Sequence, residues 1–285
     1  MMTATRRRTV ALDRSLELLP LFRLSDSADD SAVAYSLADG GRWRVLPAPG
    51  ERLPGTFDQD VYVELLRRYH EAGAPADGVV RFTLHSFLRA MGRAVDGRTY
   101  EQLRSALQRL ERTTLESQGA YWDAAAGRWA DVRFTVLASV VIERRRTTER
   151  DQLALFPELF ATDPGDARAV VSAPQRANLA AHHLSAISPA IYFKALASPV
   201  ARRLYRLLAA ETATGAPDWR VSLERLAEQL PLTQRYPSHL QRVLQPAHLL
   251  LQQAGVVEHV TFVQDGRDWM VEYRMADTGG AVPAG

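Results

Sequence analysis

The sequence contains no cysteine. Disulfide staples, thiolate metal sites and cysteine nucleophiles are therefore excluded. Lysine is nearly missing too: Lys194 is the single one, and every other basic side chain is arginine. Codon usage in a GC-rich genome would produce the same bias, but the physical consequence stands either way. Arginine presents a rigid fork of donors suited to phosphates and to guanine edges. Also absent is any apolar run long enough to cross a bilayer, and no apolar signal-peptide core follows the basic start at Arg6, Arg7 and Arg8. The expectation is a cytoplasmic, nucleoid-associated protein.

The usual marks of catalysis are missing as well. The carboxylates form no paired arrangement on a strand such as a metal nuclease needs. No glycine-rich loop of the Walker type occurs, which argues against ATP hydrolysis. His182-His183 is the only histidine pair; adjacent side chains point apart, and no third ligand stands at a metal spacing. Solvated loop histidines are the simpler reading. Tyr192, Tyr205 and Tyr236 would serve as nicking nucleophiles only beside a metal-binding histidine cluster, and Tyr192 and Tyr205 read as core aromatics. The expectation is a binding protein with no catalytic residue, no metal and no cofactor.

What is present suits two domains. The 285 residues are 46% hydrophobic and 24% charged, a globular rather than a disordered composition. The net charge is only +2, with a pI near 9.0. That sum does not exclude DNA, because what matters is whether arginines gather on one face.

The pattern along the chain repeats. Residues 1–30 are polar, basic at the start and acidic at Asp26, Asp29 and Asp30, and read as an arm that orders on contact. A short hairpin is expected over residues 33–46, turning at Gly40-Gly41. Asp58 is positioned to cap a helix that ends at Gly73. Then come a strand at 79–83, a helix from Leu84 to about Met91, a helix from Arg98 to about Arg112, and strands over 114–122 and 132–143 around a loop at Gly127. Residues 150–185, with Pro157, Asp163-Pro164-Gly165 and Pro174, read as a connector. A helix capped by Ser198-Pro199 follows, then a strand at 219–221, a helix over 222–230, and a helix over 237–254 that Pro246 should kink or split. Strands over 256–263 and 269–274, joined at Asp265-Gly266, close the second set. Helix, strand, helix, helix, strand, strand is the order of a winged helix, a helix-turn-helix variant. The expected fold is α+β and helix-rich, with two tandem winged-helix domains. Its boundaries are 1–44 for an arm with a short hairpin, 45–149 for the first domain, 150–185 for the connector, 186–276 for the second domain and 277–285 for a disordered tail.

Leu53-Pro54-Gly55-Thr56-Phe57-Asp58-Gln59-Asp60, the stretch Val79 to Gly92, and Tyr100-Glu101-Gln102-Leu103-Arg104 running on to Leu110 are similar to plasmid replication initiators of the replication protein A type. Ile191-Tyr192-Phe193 leading into Ser198-Pro199-Val200-Ala201-Arg202-Arg203 resembles the same family. The likeness spans roughly residues 45 to 275 and rests on the order of fold-defining helices. It implies binding to direct repeats in double-stranded origin DNA, duplex melting, and recruitment of the host replication initiator and replicative helicase. A homodimer through the first winged-helix domain is a further possible partner arrangement. The alternative use of such a fold is a transcriptional regulator or autorepressor; a third is a protein-interaction module.

Candidate DNA contacts follow from the second helix of each helix-turn-helix, which enters the major groove. In the first, Leu103, Ala106, Leu107 and Leu110 form the inward stripe. Arg98, Glu101, Ser105, Gln108, Arg109 and Arg112 lie opposite, with Arg104 at the edge. A solvated amphipathic face would look the same, and Glu101 is also placed to pair with Arg104 or Arg98. In the second, Leu240, Val243, Leu244 and Ala247 face inward, while Ser238, Gln241, Arg242 and Gln245 face away, preceded by Thr233, Gln234, Arg235 and Tyr236 in the turn. Arg128 and Arg267 sit in the two expected wing loops. Arg144, Arg145 and Arg146, and Arg202, Arg203 and Arg206, are equally open to DNA contact or to surface charge.

Overall fold

The computed structural model describes residues 9–24, 31–143 and 166–276. The basic patch at Arg6, Arg7 and Arg8, the acids at Asp26, Asp29 and Asp30, the Arg144, Arg145, Arg146 cluster and the 277–285 tail lie outside the described residues.

The first surprise is near the start. Instead of a solvated arm, β1 (Val10–Asp13) pairs antiparallel with β9 (Leu184–Ile187) and runs into α1 (Arg14–Glu17). Val10, Leu12, Leu16, Leu19, Leu21 and Phe22 are all buried. Charged neighbours make the stretch look polar, yet Asp13 and Glu17 are buried too and have partners. Asp13 accepts from the Ser15 backbone N–H (3.0 Å), from Asn178 Nδ2 (3.0 Å) and from the Tyr121 hydroxyl (2.5 Å). Burial outweighs these hydrogen bonds and pushes its carboxyl up to about 7.

The expected hairpin is β2 (Val33–Ser36) with β3 (Arg42–Leu46), and it continues into a four-stranded sheet, β2-β3-β5-β6. Here β5 is Thr114–Asp123 and β6 is Arg128–Phe134. At Gly41 a Cβ would stand 2.6 Å from the Gly119 carbonyl oxygen, so only glycine lets the two backbones approach.

Two sets of elements then share an order. The first is α2 (Thr56–Glu71), β4 (Val79–Thr83), α3 (Leu84–Ala90), α4 (Gly97–Arg112), β7 (Leu137–Ile142) and β8 (Asp166–Val171), with sheet order β4-β8-β7. After α5 (Ala173–Ala180) and β9, a single wide turn at Ile191–Ala195 leads into the second set. That set is α6 (Pro199–Glu211), β10 (Asp218–Ser222), α7 (Leu223–Gln229), α8 (Pro237–Gln253), β11 (Val257–Asp265) and β12 (Asp268–Met275), with sheet order β10-β12-β11. In both, the last strand lies between the other two and all pairs are antiparallel.

Several expectations change. The N-cap of α2 is Gly55, and Asp58 lies a turn inside, accepting from the Gly55 N–H at 2.8 Å. The single strand expected over 132–143 is two, β6 and β7, broken at Thr135-Val136 and assigned to different sheets. The expected connector holds β8, α5 and the start of β9, and β8 is the central strand of its sheet. Helix α8 runs unbroken through Pro246, so the expected split does not occur. Arg242, whose carbonyl loses its i+4 partner to the proline ring, lies on the exposed side. In the last hairpin Asp265 pairs with Asp268, so the two turn residues are Gly266 and Arg267, with φ +63° at the glycine.

Local chemistry sets the helix starts. Thr83, Asp96, Ser198 and Ser222 each accept a backbone N–H at the head of α3, α4, α6 and α7. One contiguous core links both sets, from Val10 through Trp43, Tyr62 and Leu107 to Leu208, Leu244 and Tyr273. Each fully buried leucine contributes about 1.5–3 kcal/mol by leaving water.

Candidate nucleic-acid interface

Helix α4 follows its apolar stripe closely. Leu103, Ala106, Leu107 and Leu110 are wholly buried, and the Thr99 N–H donates to the capping Asp96 at 2.8 Å. Arg98, Glu101, Gln108 and Arg112 are exposed, while Arg104, Ser105 and Arg109 are half-buried. The arginines are mostly engaged. Arg104 pairs with Glu101 at 2.8 Å, and Arg112 reaches Glu51 at 2.5 Å. Arg109 grips Asp58 with two bonds, Nε at 2.9 Å and a terminal nitrogen at 3.2 Å. Burial pushes the Asp58 carboxyl up and the Arg109 charge pulls it back, so the guanidinium cannot leave without stranding a buried acid. Among the described residues Arg98 is the one arginine of this helix with no close ion pair, its charge acting on the capping Asp96 from further away. A shallow hollow of about 240 Å³ lies beside Ser105, Gln108 and Arg109, walled by Glu51 and Arg52.

Helix α8 is different. Leu240, Leu244, Ala247 and Leu251 are buried, and His248 joins them with Nε2 2.9 Å from the Tyr273 hydroxyl. Burial pulls His248 down to about 4, so it is neutral at physiological pH and adds no charge. On the other side Arg235, Tyr236, Ser238, Arg242 and Gln245 are exposed, and Gln241 is half-buried. From Gln229 to Val257 the chain has no Asp or Glu. Arg235, Arg242 and Arg267 make no ion pair among the described residues.

The turn before α8 and the β11–β12 tip meet. Thr233, Gln234, Arg235, Arg267 and Trp269 line one open cleft of about 820 Å³, which Ala32 and the first residues of β2, Val33 and Ala34, line as well. Glu224, Glu228 and Asp268 also face it, so its charge is mixed. Two arginines expected on a turn and on a hairpin loop, Arg235 and Arg267, are thus brought to one place. Arg128 is not comparable. Its hairpin, β5–β6, belongs to the four-stranded sheet rather than to the β4-β8-β7 sheet that packs with α4. The strands in the place expected for the first wing are β7 and β8, and all the residues between them but Glu143 lie outside the described residues.

A family model described as replication initiator protein A matches residues 13–243. The chain belongs to this family. No curated protein matches it in sequence. Among solved structures, selenomethionine derivatives of domain 2 and domain 3 of RctB are similar, with a TM-score of 0.58 at 12% identity over 89% of this chain and 94% of that one. A second structure of RctB domains 2-3 gives a TM-score of 0.53 at 11% identity, covering 92% and 96%. At such identity the likeness carries the mixed α/β fold alone. Among the described residues no helix is long and apolar enough to cross a membrane, and no three His, Cys, Asp or Glu converge as a metal would need.

In this initiator-family chain Arg203 and Arg206 of α6 are buried in the core rather than surface charge, and Arg202 is half-buried against Asp60. Arg206 donates to both Glu17 oxygens (3.0 and 2.9 Å) and to Gln59 (3.1 Å), its guanidinium lying over Phe22 and Tyr62. Arg203 donates to the Glu17, Leu19 and Gln229 carbonyls. Burial and the neighbouring Arg206 charge lower Arg203 to about 10, still high enough to keep it charged. Arg202 and Arg93 share Asp60, at 2.5 and 2.8 Å, and Tyr192 donates to the same acid. These contacts join the N-terminal segment and α2 to α6. Helical spacing does not reveal this burial: Leu204, Tyr205, Leu207 and Leu208 share one side of the helix and Arg202, Arg203 and Arg206 the opposite side, the pattern of an ordinary surface helix.

Proposed function

We propose that this chain is a double-stranded DNA-binding replication initiator of two tandem winged helices that reads repeated origin sites and acts by binding rather than by catalysis. The repeated element order and the matching sheets, β4-β8-β7 and β10-β12-β11, support the tandem reading. The observation that carries DNA binding is the outer side of α8. It offers Arg235, Arg242, Ser238 and Gln241 on an acid-free stretch, with Arg267 of the following hairpin on the same cleft as Arg235. An acid-free cationic helix face suits a polyanion, and arginine with glutamine suits guanine and adenine edges. Melting of an adjacent AT-rich segment would follow from binding energy spent on bending the duplex. Recruitment of the host initiator and replicative helicase completes the proposed role.

The test is fluorescence anisotropy of the full chain with duplexes from the DNA flanking its own gene. Repeat-bearing duplex should bind far more tightly than unrelated duplex. Arg235→Ala with Arg242→Ala should weaken repeat binding about 100-fold and reduce the salt slope by about 2. Equal affinity of the unmodified chain for repeats and unrelated duplex would refute sequence-specific initiation.

A further inference from the structure

Tyr236 is 71% exposed, more than any other exposed large hydrophobic side chain among the described residues. The fold makes little use of it. It occupies the N-cap of α8, where Ser, Thr, Asp or Asn would accept a backbone N–H, and it makes no capping bond. Thr83, Asp96, Ser198 and Ser222 do cap their helices. Its hydroxyl has no partner among the described residues.

The ring is nevertheless held in place. Pro237 follows and confines Tyr236 to extended backbone, φ −87° and ψ 135°. The His239 ring stands against it edge-on, centroids 5.7 Å apart at 80°. Arg235 precedes it, Arg242 lies further along the exposed side, and no acid occurs between Gln229 and Val257. A braced, exposed aromatic amid positive charge suits a ligand that has both flat apolar faces and phosphates. Nucleobases in a phosphate backbone meet both requirements; the acids nearest in the fold, Glu224, Glu228 and Asp268, line the adjoining cleft, and none stands on the 229–257 stretch that carries the ring.

We propose that Tyr236 is a base-stacking residue that lodges against an unstacked base step of the bound DNA and so favours strand opening. This rests on the DNA-binding reading above and deepens it. Every base offers a π-face, so the contact contributes little to sequence choice and much to capture of an opened step.

The experiment compares the full chain with Tyr236→Ala, Tyr236→Phe and Tyr236→Trp on two duplexes. One is an intact flanking repeat carrying 2-aminopurine; the other is the same repeat with a single-base bulge. Tyr236→Ala should bind the bulged duplex about 10-fold more weakly, lose less on the intact one, and abolish the 2-aminopurine fluorescence rise. Phe and Trp should retain both properties. The thermal midpoint of Tyr236→Ala should stay unchanged, because the ring is exposed. Three results overturn the proposal: Tyr236→Ala equal to the unmodified chain on both duplexes, which leaves a protein-facing aromatic; equal losses on both duplexes with the fluorescence rise intact, which leaves an edge contact; or a lowered thermal midpoint that accounts for the loss. Failure of the unmodified chain to bind any duplex would instead remove the DNA-binding reading itself.

Discussion

Helices α4 and α8 hold the same place in two sets of elements with the same sheet order, and their arginines are treated in opposite ways. On α4, Arg104, Arg109 and Arg112 each face a carboxylate. On α8 and the turn before it, Arg235 and Arg242 make no ion pair among the described residues, although Glu224, Glu228 and Asp268 share the cleft with Arg235. An arginine count would rank α4 first, but a guanidinium beside an acid presents little net charge to a phosphate. The difference separates positive charge that organises the fold from positive charge available to a ligand. On the DNA-binding reading proposed above, the chain approaches the duplex asymmetrically, α8 leading.

The extreme of the tied kind lies on α6, and the largest effect is expected there. Arg206→Met leaves the buried Glu17 carboxylate with the longer 3.5 Å contact to Arg203 and the hydroxyl of Tyr62. The expected loss is about 3–5 kcal/mol in urea unfolding, recovered in large part by adding Glu17→Leu. A loss below about 1 kcal/mol would show that the N-terminal segment does not depend on this pair.

Whether an arginine is tied or free was legible only where its partner is local. Glu101 and Arg104 are three apart on one helix, and their pairing could be anticipated. Asp58 and Glu51 lie 51 and 61 residues from Arg109 and Arg112, beyond the reach of any helical spacing rule. The same limit applies to the strands. Periodicity placed β4, β11 and β12, whereas β8 was missed because its partner β4 lies far back in the chain and its surroundings are rich in proline and glycine. Buried Asp13 and Glu17 made the N-terminal segment look solvated, since charge in a sequence does not announce its burial.

On α4 the tie at Arg109 should matter next. Arg109→Ala strands Asp58, which is almost wholly buried, and the expected cost is about 1–3 kcal/mol. Adding Asp58→Asn should recover most of it. At temperatures where the protein stays folded, duplex affinity should fall less than about 3-fold. A loss of affinity as large as that of Arg242→Ala would mean that Arg109 exchanges Asp58 for DNA.

The smallest effect is the most discriminating. Arg104 is held by the exposed Glu101 and Arg112 by the half-buried Glu51, the arginine side chains being 24% and 51% exposed. Such pairs stabilise by no more than about 1 kcal/mol, so either arginine can swing away at little cost. What prevents a strong phosphate contact is the acid left behind: Glu101 and Glu51 stay beside the same backbone and repel it. Alanine at both arginines should therefore shift stability by about 0.5 kcal/mol or less and lower the salt slope by less than 1, against about 2 for Arg235 and Arg242. A drop near 2 would mean that α4 sheds its acids and enters the duplex as fully as α8, and the asymmetry would give way to two equal readers spaced by the α2–α6 ionic network.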